Sequence, residues 1–383
     1  MHNVTQAEVF IVDDDTPDIS DFDLNDAGFT PEQFLEWRSP RRGKSNPEQL
    51  TNPVWDWLIR TRIIAYQANN AFDGPSACSA GPCWCFNRFG QSATELPDGR
   101  VLLIAGEHED NYDPDFYIYN DVVVKHPDGS IDVLGYPEDA FPPTDFHSAT
   151  LVDGGVVLIG NLGYIEKRDP TATQVLFLDL TTLEVRPVKT ADAPPGWIHR
   201  HHARISTDGN GIVIERGTLY RGSDKTLIEN IDDWVLHTDS WKWERLTRRP
   251  WHRWEVVRKD GQRNHLWHIR QALRYRQSNW RDEYEKTMSK LEAELGCQPD
   301  VDVATRLYQP PMPHDDLPSN EDESDIYRVC VDGVVVRYAE DWHSIQVTVE
   351  GELSAGIIGM LKADLVEKVE SLENQGCVVL PIE

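Results

Sequence analysis

Basic residues are scarce in this chain: 37 Lys and Arg stand against 65 Asp and Glu, a formal net charge of −28 over 383 residues. Such a charge opposes contact with nucleic-acid phosphates and anionic lipid, and it attracts basic proteins at long range. Between Met1 and Thr30 there is no Lys or Arg at all. Secretory and mitochondrial leaders begin with a positive region, so the expectation is a cytoplasmic protein without a leader. No run of about 18 apolar residues occurs, so no helix is expected to span a bilayer. Cysteine is sparse: Cys78, Cys83, Cys85, Cys297, Cys330 and Cys377 are irregularly spaced, unlike a secreted disulfide scaffold, and read as cytosolic thiols. The first three lack the paired short-gap spacing of a structural zinc site, so no metal or other cofactor is expected. Catalytic signatures are missing too. There is no Gly-rich phosphate loop, Gly-x-Ser-x-Gly elbow or His-Glu-x-x-His helix, which points away from an enzyme.

What is present is an ordinary globular balance, 39% hydrophobic and 27% charged, in a chain longer than a typical single domain. Compared with itself, the sequence shows one pattern three times. In the first copy Ser92-Ala93-Thr94 leads through Asp98-Gly99 to Val101-Leu102-Leu103-Ile104-Ala105-Gly106. The second runs Phe146-His147-Ser148-Ala149-Thr150, then Asp153-Gly154, then Val156-Val157-Leu158-Ile159-Gly160. A weaker third runs His201-His202-Ala203-Arg204-Ile205, then Asp208-Gly209, then Ile212-Val213-Ile214. Asp98, Asp153 and Asp208 are 55 residues apart, which fits one supersecondary unit per copy.

Asp-Gly between apolar runs marks a hairpin, because Gly supplies the positive φ of a tight turn. The nearly continuous Val, Leu and Ile runs that follow suit strands buried on both faces. Two more strands are expected in each copy: 121–125 with 131–134, 175–180 with 183–188, and 234–237 with 241–246. Four strands per unit make a propeller blade.

These residues resemble the kelch family over about 86–247. The resemblance implies a mainly β fold, a kelch-like β-propeller or partial propeller of four-stranded blades, here with a long helical insertion and a small α+β C-terminal part. The glycine pair of the family is Ala105-Gly106 in copy one and Gly160-Asn161 in copy two. It is missing at Ile214-Glu215 in copy three. Three blades do not close a ring, and the strands expected at 326–330, 334–338 and 345–349 read as a divergent further blade.

Around the repeats (76–247) the chain divides into an acidic arm (1–30), a lead-in (31–75), a basic, Trp-rich helical segment (248–300), a Pro-rich acidic linker (301–325) and a C-terminal meander with helix and strand (326–383). Thr30-Pro31-Glu32-Gln33 signals a capped helix start. From Arg263 to Leu295 apolar residues recur at helical spacing, with one break expected and Gly296 as the stop. Ten Lys or Arg between Arg245 and Arg276 are expected to pair with acidic groups of the same chain rather than with nucleic acid.

The loop after the first inner strand, 107–117, combines carboxylates with aromatics, the composition of an interface hot spot. Its candidate contacts are Glu107, Glu109, Asp110, Tyr112, Asp113, Asp115 and Tyr117; Glu166, Trp197 and His199 join them from the other copies. Alternation along one strand would put His199 and His201 on the same face. The expected function is therefore non-catalytic binding of a basic protein. In class it is closest to an immunity protein that covers the active site of a nuclease-like bacterial toxin. The alternatives are a kelch-type adaptor or scaffold and a propeller enzyme acting on a sugar.

Overall fold

The structure, a computed structural model, describes residues 19–72, 74, 81–108, 116–222, 227–318 and 326–382. It is mainly β, with several small antiparallel sheets and, among the described residues, seven α-helices. None of those helices is long and apolar enough to cross a membrane. The chain divides into two compact units, Met1–Arg248 and Arg249–Glu383.

In the first unit each sequence copy folds as an antiparallel meander. Copy one supplies β1 (Ser92–Glu95), β2 (Val101–Ile104), β3 (Asp121–Lys125) and β4 (Ile131–Gly135), extended at its outer edge by Glu48–Gln49. Copy two supplies β5 (Ser148–Val152), β6 (Gly155–Ile159), β7 (Val175–Asp179) and β8 (Val185–Pro187). Copy three supplies β9 (His202–Ile205), β10 (Gly211–Glu215), β11 (Trp234–His237) and β12 (Lys242–Arg245). The first strands of adjoining repeats lie against one another.

Strand alternation explains the apolar runs. Leu102 and Ile104 of β2 share a core with Val156 and Leu158 of β6. The alternate residues Val157 and Ile159 share the next core with Ile212 and Ile214 of β10. The inner strands β2 and β6 are thus buried on both faces because their sheets each have a packed layer on either side, whereas β10 shares a core on one face only. At one end of this stack, Leu103, Val123 and Val133 pack against α1 (Pro31–Trp37), α2 (Pro53–Thr61) and α3 (Ala65–Ala71). Thr30 caps α1 in a full capping box with Gln33, and the apolar stretch 54–66 falls in α2 and the start of α3 with a three-residue break at 62–64. At the other end, the outward face of the third sheet is polar and ion-paired, Arg204 with Glu215 at 2.7 Å and His237 with Glu244 at 3.0 Å.

Two interactions recur at the seams. The residue two positions before each first strand is left-handed: Gly90 (φ 61°), Phe146 (φ 49°) and Arg200 (φ 55°). Their amides form a short ladder, Phe146 N–H donating to Gly90 O at 2.9 Å and Arg200 N–H to Phe146 O at 2.8 Å. Beside it, His147 Nε2 meets Ser92 Oγ at 2.8 Å, and His201 Nε2 meets Ser148 Oγ at 2.8 Å. One buried imidazole therefore clasps each seam. The counterpart of the glycine pair missing at Ile214-Glu215 in copy three lies two residues later. Arg216 (φ 58°) and Gly217 (φ 85°) take the left-handed positions of Ala105 and Gly106, because β10 runs one residue further before it turns.

Gly160 (φ 80°) sits at the second of these turns, where an added Cβ would lie 2.4 Å from the carbonyl oxygen of Ile198. Gly160→Ala should cost about 1–3 kcal/mol for the left-handed backbone alone, and more for the clash. A lowered urea midpoint with an unchanged m-value is the measurement that checks it.

Copy one also holds a buried ion pair. Arg88 and Asp121 pair through both guanidinium nitrogens, with Nη2 to Oδ2 at 3.0 Å and side-chain exposures of 0% and 6%. Arg88 Nε donates to Cys85 O at 2.7 Å and its guanidinium lies 3.4 Å from the Tyr119 ring centre. Trp84 Nε1 donates to Asp121 Oδ2 at 3.0 Å.

The second unit is one six-stranded antiparallel sheet. In spatial order it runs Asp315–Leu317, Ile326–Val331, Val334–Glu340, Ser344–Val349, His252–Arg258 and Cys377–Pro381; in chain order we label these β13 (His252–Arg258), β14 (Asp315–Leu317), β15 (Ile326–Val331), β16 (Val334–Glu340), β17 (Ser344–Val349) and β18 (Cys377–Pro381). The expected divergent blade is thereby corrected. Its strands β15, β16 and β17 pair onward to β13, with Trp254 opposite Val347, and share a core with α4 (Leu266–Gln277), α5 (Arg281–Leu295), α6 (Val301–Thr305) and α7 (Ala355–Glu373). The helical stretch breaks once, at Ser278–Trp280, and α5 ends at a left-handed Gly296. Within 301–325 the described residues include α6 and β14.

Candidate functional site

Between its second and third strands every repeat makes an excursion. These excursions span 105–120, 160–174 and 216–233, and each begins at the left-handed residues just described. Because Ser92 pairs with Ile104, Ser148 with Ile159 and His202 with Glu215, the excursions leave beside the starts of the first strands. Cross-links between repeats hold them together at one end of the stack: Gly106 N–H donates to Thr144 O at 2.8 Å and Asn161 N–H to Ile198 O at 2.9 Å.

The first excursion is a two-stranded ribbon, Glu107 opposite Ile118 and His108 opposite Tyr117. Five of the sequence candidates, Glu109, Asp110, Tyr112, Asp113 and Asp115, lie outside the described residues. Glu107 and Tyr117 are half-buried at its base. Arg42 stacks 4.6 Å from the Tyr117 ring centre and donates to Ile118 O at 3.0 Å. The second excursion leans on the first: Ile118 N–H donates to the Tyr164 hydroxyl at 3.0 Å, and Phe116 meets the Tyr164 ring edge-on at 5.8 Å. Phe116 is 42% exposed and Ile165, next to Tyr164, 41%. Glu166 is exposed in the same turn.

Trp197 and His199 are not surface contacts. Trp197 is buried and uses its indole N–H to hold Leu162 O at 3.0 Å. His199 is 2% exposed and neither ring nitrogen has a hydrogen-bond partner. Burial first, and then the nearby charges of Arg200 and Arg168, push it down to about 3, so it is neutral at pH 7. It does not share a strand face with His201. The left-handed Arg200 ends the strand Trp197–His199, which pairs with Thr218–Tyr220, and His202–Ile205 starts a different sheet. His199 and His201 are nonetheless neighbours, close enough for each proton to oppose the other.

A charged centre that sequence reading missed lies between the second and third excursions. Asp145 is fully buried; its Oδ1 accepts the Gly163 N–H at 2.6 Å and its own N–H donates to Asn161 Oδ1 at 3.0 Å. Burial pushes its carboxyl up, and the Gly163 N–H, Arg168 and Arg200 oppose that rise. Arg168 donates to the carbonyls of Leu162 and Gly163. Arg200 places its guanidinium 4.1 Å from the Phe146 ring centre. The recurring position before each first strand was the available signal, since Arg200 occupies it in copy three.

Cys83 and Cys85 are buried, and Cys78 lies outside the described residues. Among the described residues no group of three or more His, Cys, Asp and Glu is placed to hold a metal. This end of the repeats offers an exposed aromatic and aliphatic spot, Phe116 with Tyr164 and Ile165, with the exposed charges of Glu166 and Lys167 in the same turn. No family model matches the sequence, and no curated protein matches it.

Proposed function

We propose that the chain is a non-catalytic protein-binding module, a kelch-like partial propeller of three blades that presents the loop end of its repeats to a partner. The observation that carries this reading is the exposed Phe116 and Ile165 beside Tyr164, with the charges of Glu166 and Lys167 in the same turn. An apolar centre with a charged rim is the anatomy of a protein interface. The net charge of −28 favours a basic partner. Occlusion of that partner's active site, as an immunity or inhibitor protein does to a toxin, is the mechanism this combination suits. A propeller enzyme acting on a sugar would need its ionisable groups within reach of substrate, whereas His199 and Asp145 are sealed from the surface.

The test is affinity capture from the source cells with the full chain and with the F116D/I165D variant, followed by co-expression of the captured protein. A basic protein that is retained by the wild type, lost by the variant and toxic only when expressed alone supports the reading. Equal retention by both proteins rejects the loop face. A captured protein that is harmless alone leaves an adaptor role.

A further inference from the structure

A second exposed surface lies in the other unit, on α4. Trp267 and Trp342 are 48% and 45% exposed, with ring centres 5.9 Å apart at 41°. Isolated exposed apolar residues are ordinary, but adjoining exposed indoles form a patch that calls for an explanation. The pair is held in place. Asn264 N–H donates to Trp342 O at 2.8 Å and its side-chain amide donates to Asp341 O at 2.7 Å, which ties the turn carrying Trp342 to the start of α4. His268 meets Trp267 edge-on at 5.0 Å, and the Arg263 guanidinium lies 5.6 Å from the Trp342 ring centre.

The charge of this surface runs against that of the whole chain. Arg258, Arg270 and Arg276 are ion-paired, with Glu373, Glu340 and Asp302 respectively. Arg263, beside Trp342, and Arg274, two turns along α4 from Trp267, are exposed and form no ion pair among the described residues. A residue seven positions along a helix returns to the same face. At physiological salt, charges are screened beyond about 8 Å, so the distant negative charge counts for little at the indoles, and the local balance is Arg263 and Arg274 against Asp341, whose Oδ1 already accepts the Trp342 N–H at 2.7 Å.

We propose that this surface is a second docking site, taking an acidic segment of another protein that carries an apolar anchor residue. The anchor packs on the two indoles, and carboxylates flanking it receive Arg263 and Arg274. Trp and Arg are the residues that dominate binding hot spots, and a guanidinium takes a carboxylate through paired hydrogen bonds. The site is independent of the loop face.

The experiment follows the indole N–H resonances of the full chain labelled at tryptophan, with those of Trp267 and Trp342 assigned from W267F and W342F. Three probes are titrated: a short peptide of Glu, Asp, Leu and Pro; the same peptide with Lys at every acidic position; and oligothymidylate. The expected result is saturable movement of both resonances with the acidic peptide alone, at least tenfold weaker in R263E and in R274E. Absence of movement, equal movement with the lysine peptide, or indifference to both charge reversals overturns the proposal. Movement with oligothymidylate and not with the acidic peptide replaces it with nucleic-acid binding. Movement on concentrating the protein without any probe replaces it with self-association.

Discussion

Arg88→Met should destabilise the first unit by about 3–5 kcal/mol, the range found when one member of a buried ion pair is removed and the other is left uncompensated. Asp121 would keep its place between Trp84 and the inner strands with only the indole N–H as partner. The same substitution strips the cation from the face of Tyr119 and a donor from the carbonyls of Cys85 and Ala105. Chemical denaturation followed by tryptophan fluorescence is the measurement. Replacing both members, R88M with D121L, should recover part of the loss, since two apolar side chains leave no buried charge behind. If the double variant is as unstable as the single variants combined, the pair is not coupled and the account given for it is wrong.

Acid should open the repeats well before carboxylates are protonated. Burial pushes His147 down to about 4 and His199 and His201 down to about 3, against an unfolded value of about 6.5. Above that value both states hold these rings neutral and nothing depends on pH. As pH falls below it, the unfolded chain takes up protons that the folded chain refuses, so stability is lost progressively, the His147 contribution levelling off near pH 4 and those of His199 and His201 near pH 3. Three such groups give a slope of up to about 4 kcal/mol per pH unit between pH 6 and 5. Asp145 acts in the opposite sense, because its raised carboxyl binds a proton more readily when folded, and it offsets part of the slope. Glu48, held down to about 2 chiefly by Arg41, loses its contribution only at lower pH. Urea titrations at pH 7, 6 and 5 test this, and H147Q/H201Q should flatten the profile by roughly two thirds while lowering stability at pH 7. A wild-type profile that is flat from pH 7 to 5 would remove the imidazoles from the account.

The repeats were legible in the sequence because their signals are local. Asp-Gly turns and alternating or continuous apolar runs report on a few neighbouring residues, and the sandwiched position of β2 and β6 follows from the absence of any polar side to those strands. The capped start of α1 was legible for the same reason. What escaped was long-range. A meander such as Ile326–Val349 reads identically whether it ends a stack of sheets or joins a strand some 90 residues upstream, and only its pairing with His252–Arg258 decides between the two. Arg88 and Asp121 are 33 residues apart with nothing in either local sequence to join them. At the candidate face, Glu107, Tyr117 and Glu166 were visible as polar or aromatic loop residues. Trp197 and His199 looked like contacts because exposure is not encoded in residue type. Phe116, Ile165 and Asp145 needed the excursions to be brought side by side.

The two ends of the repeat stack differ from its seams, and that bears on how it yields to load. One end is closed by three helices and the other by an ion-paired polar face, so bending of the three sheets is concentrated at the two seams between them. Each seam is held by a shared apolar core, one imidazole, a rung of the amide ladder and a cross-link between excursions. Were the sheets to bend against one another there, the two seams would act as hinges in series. A partner reaching from the first excursion to the third would meet the sum of both angles, and the grip of these contacts, those of His147 and His201 among them, would set how stiffly that span resists being opened or closed.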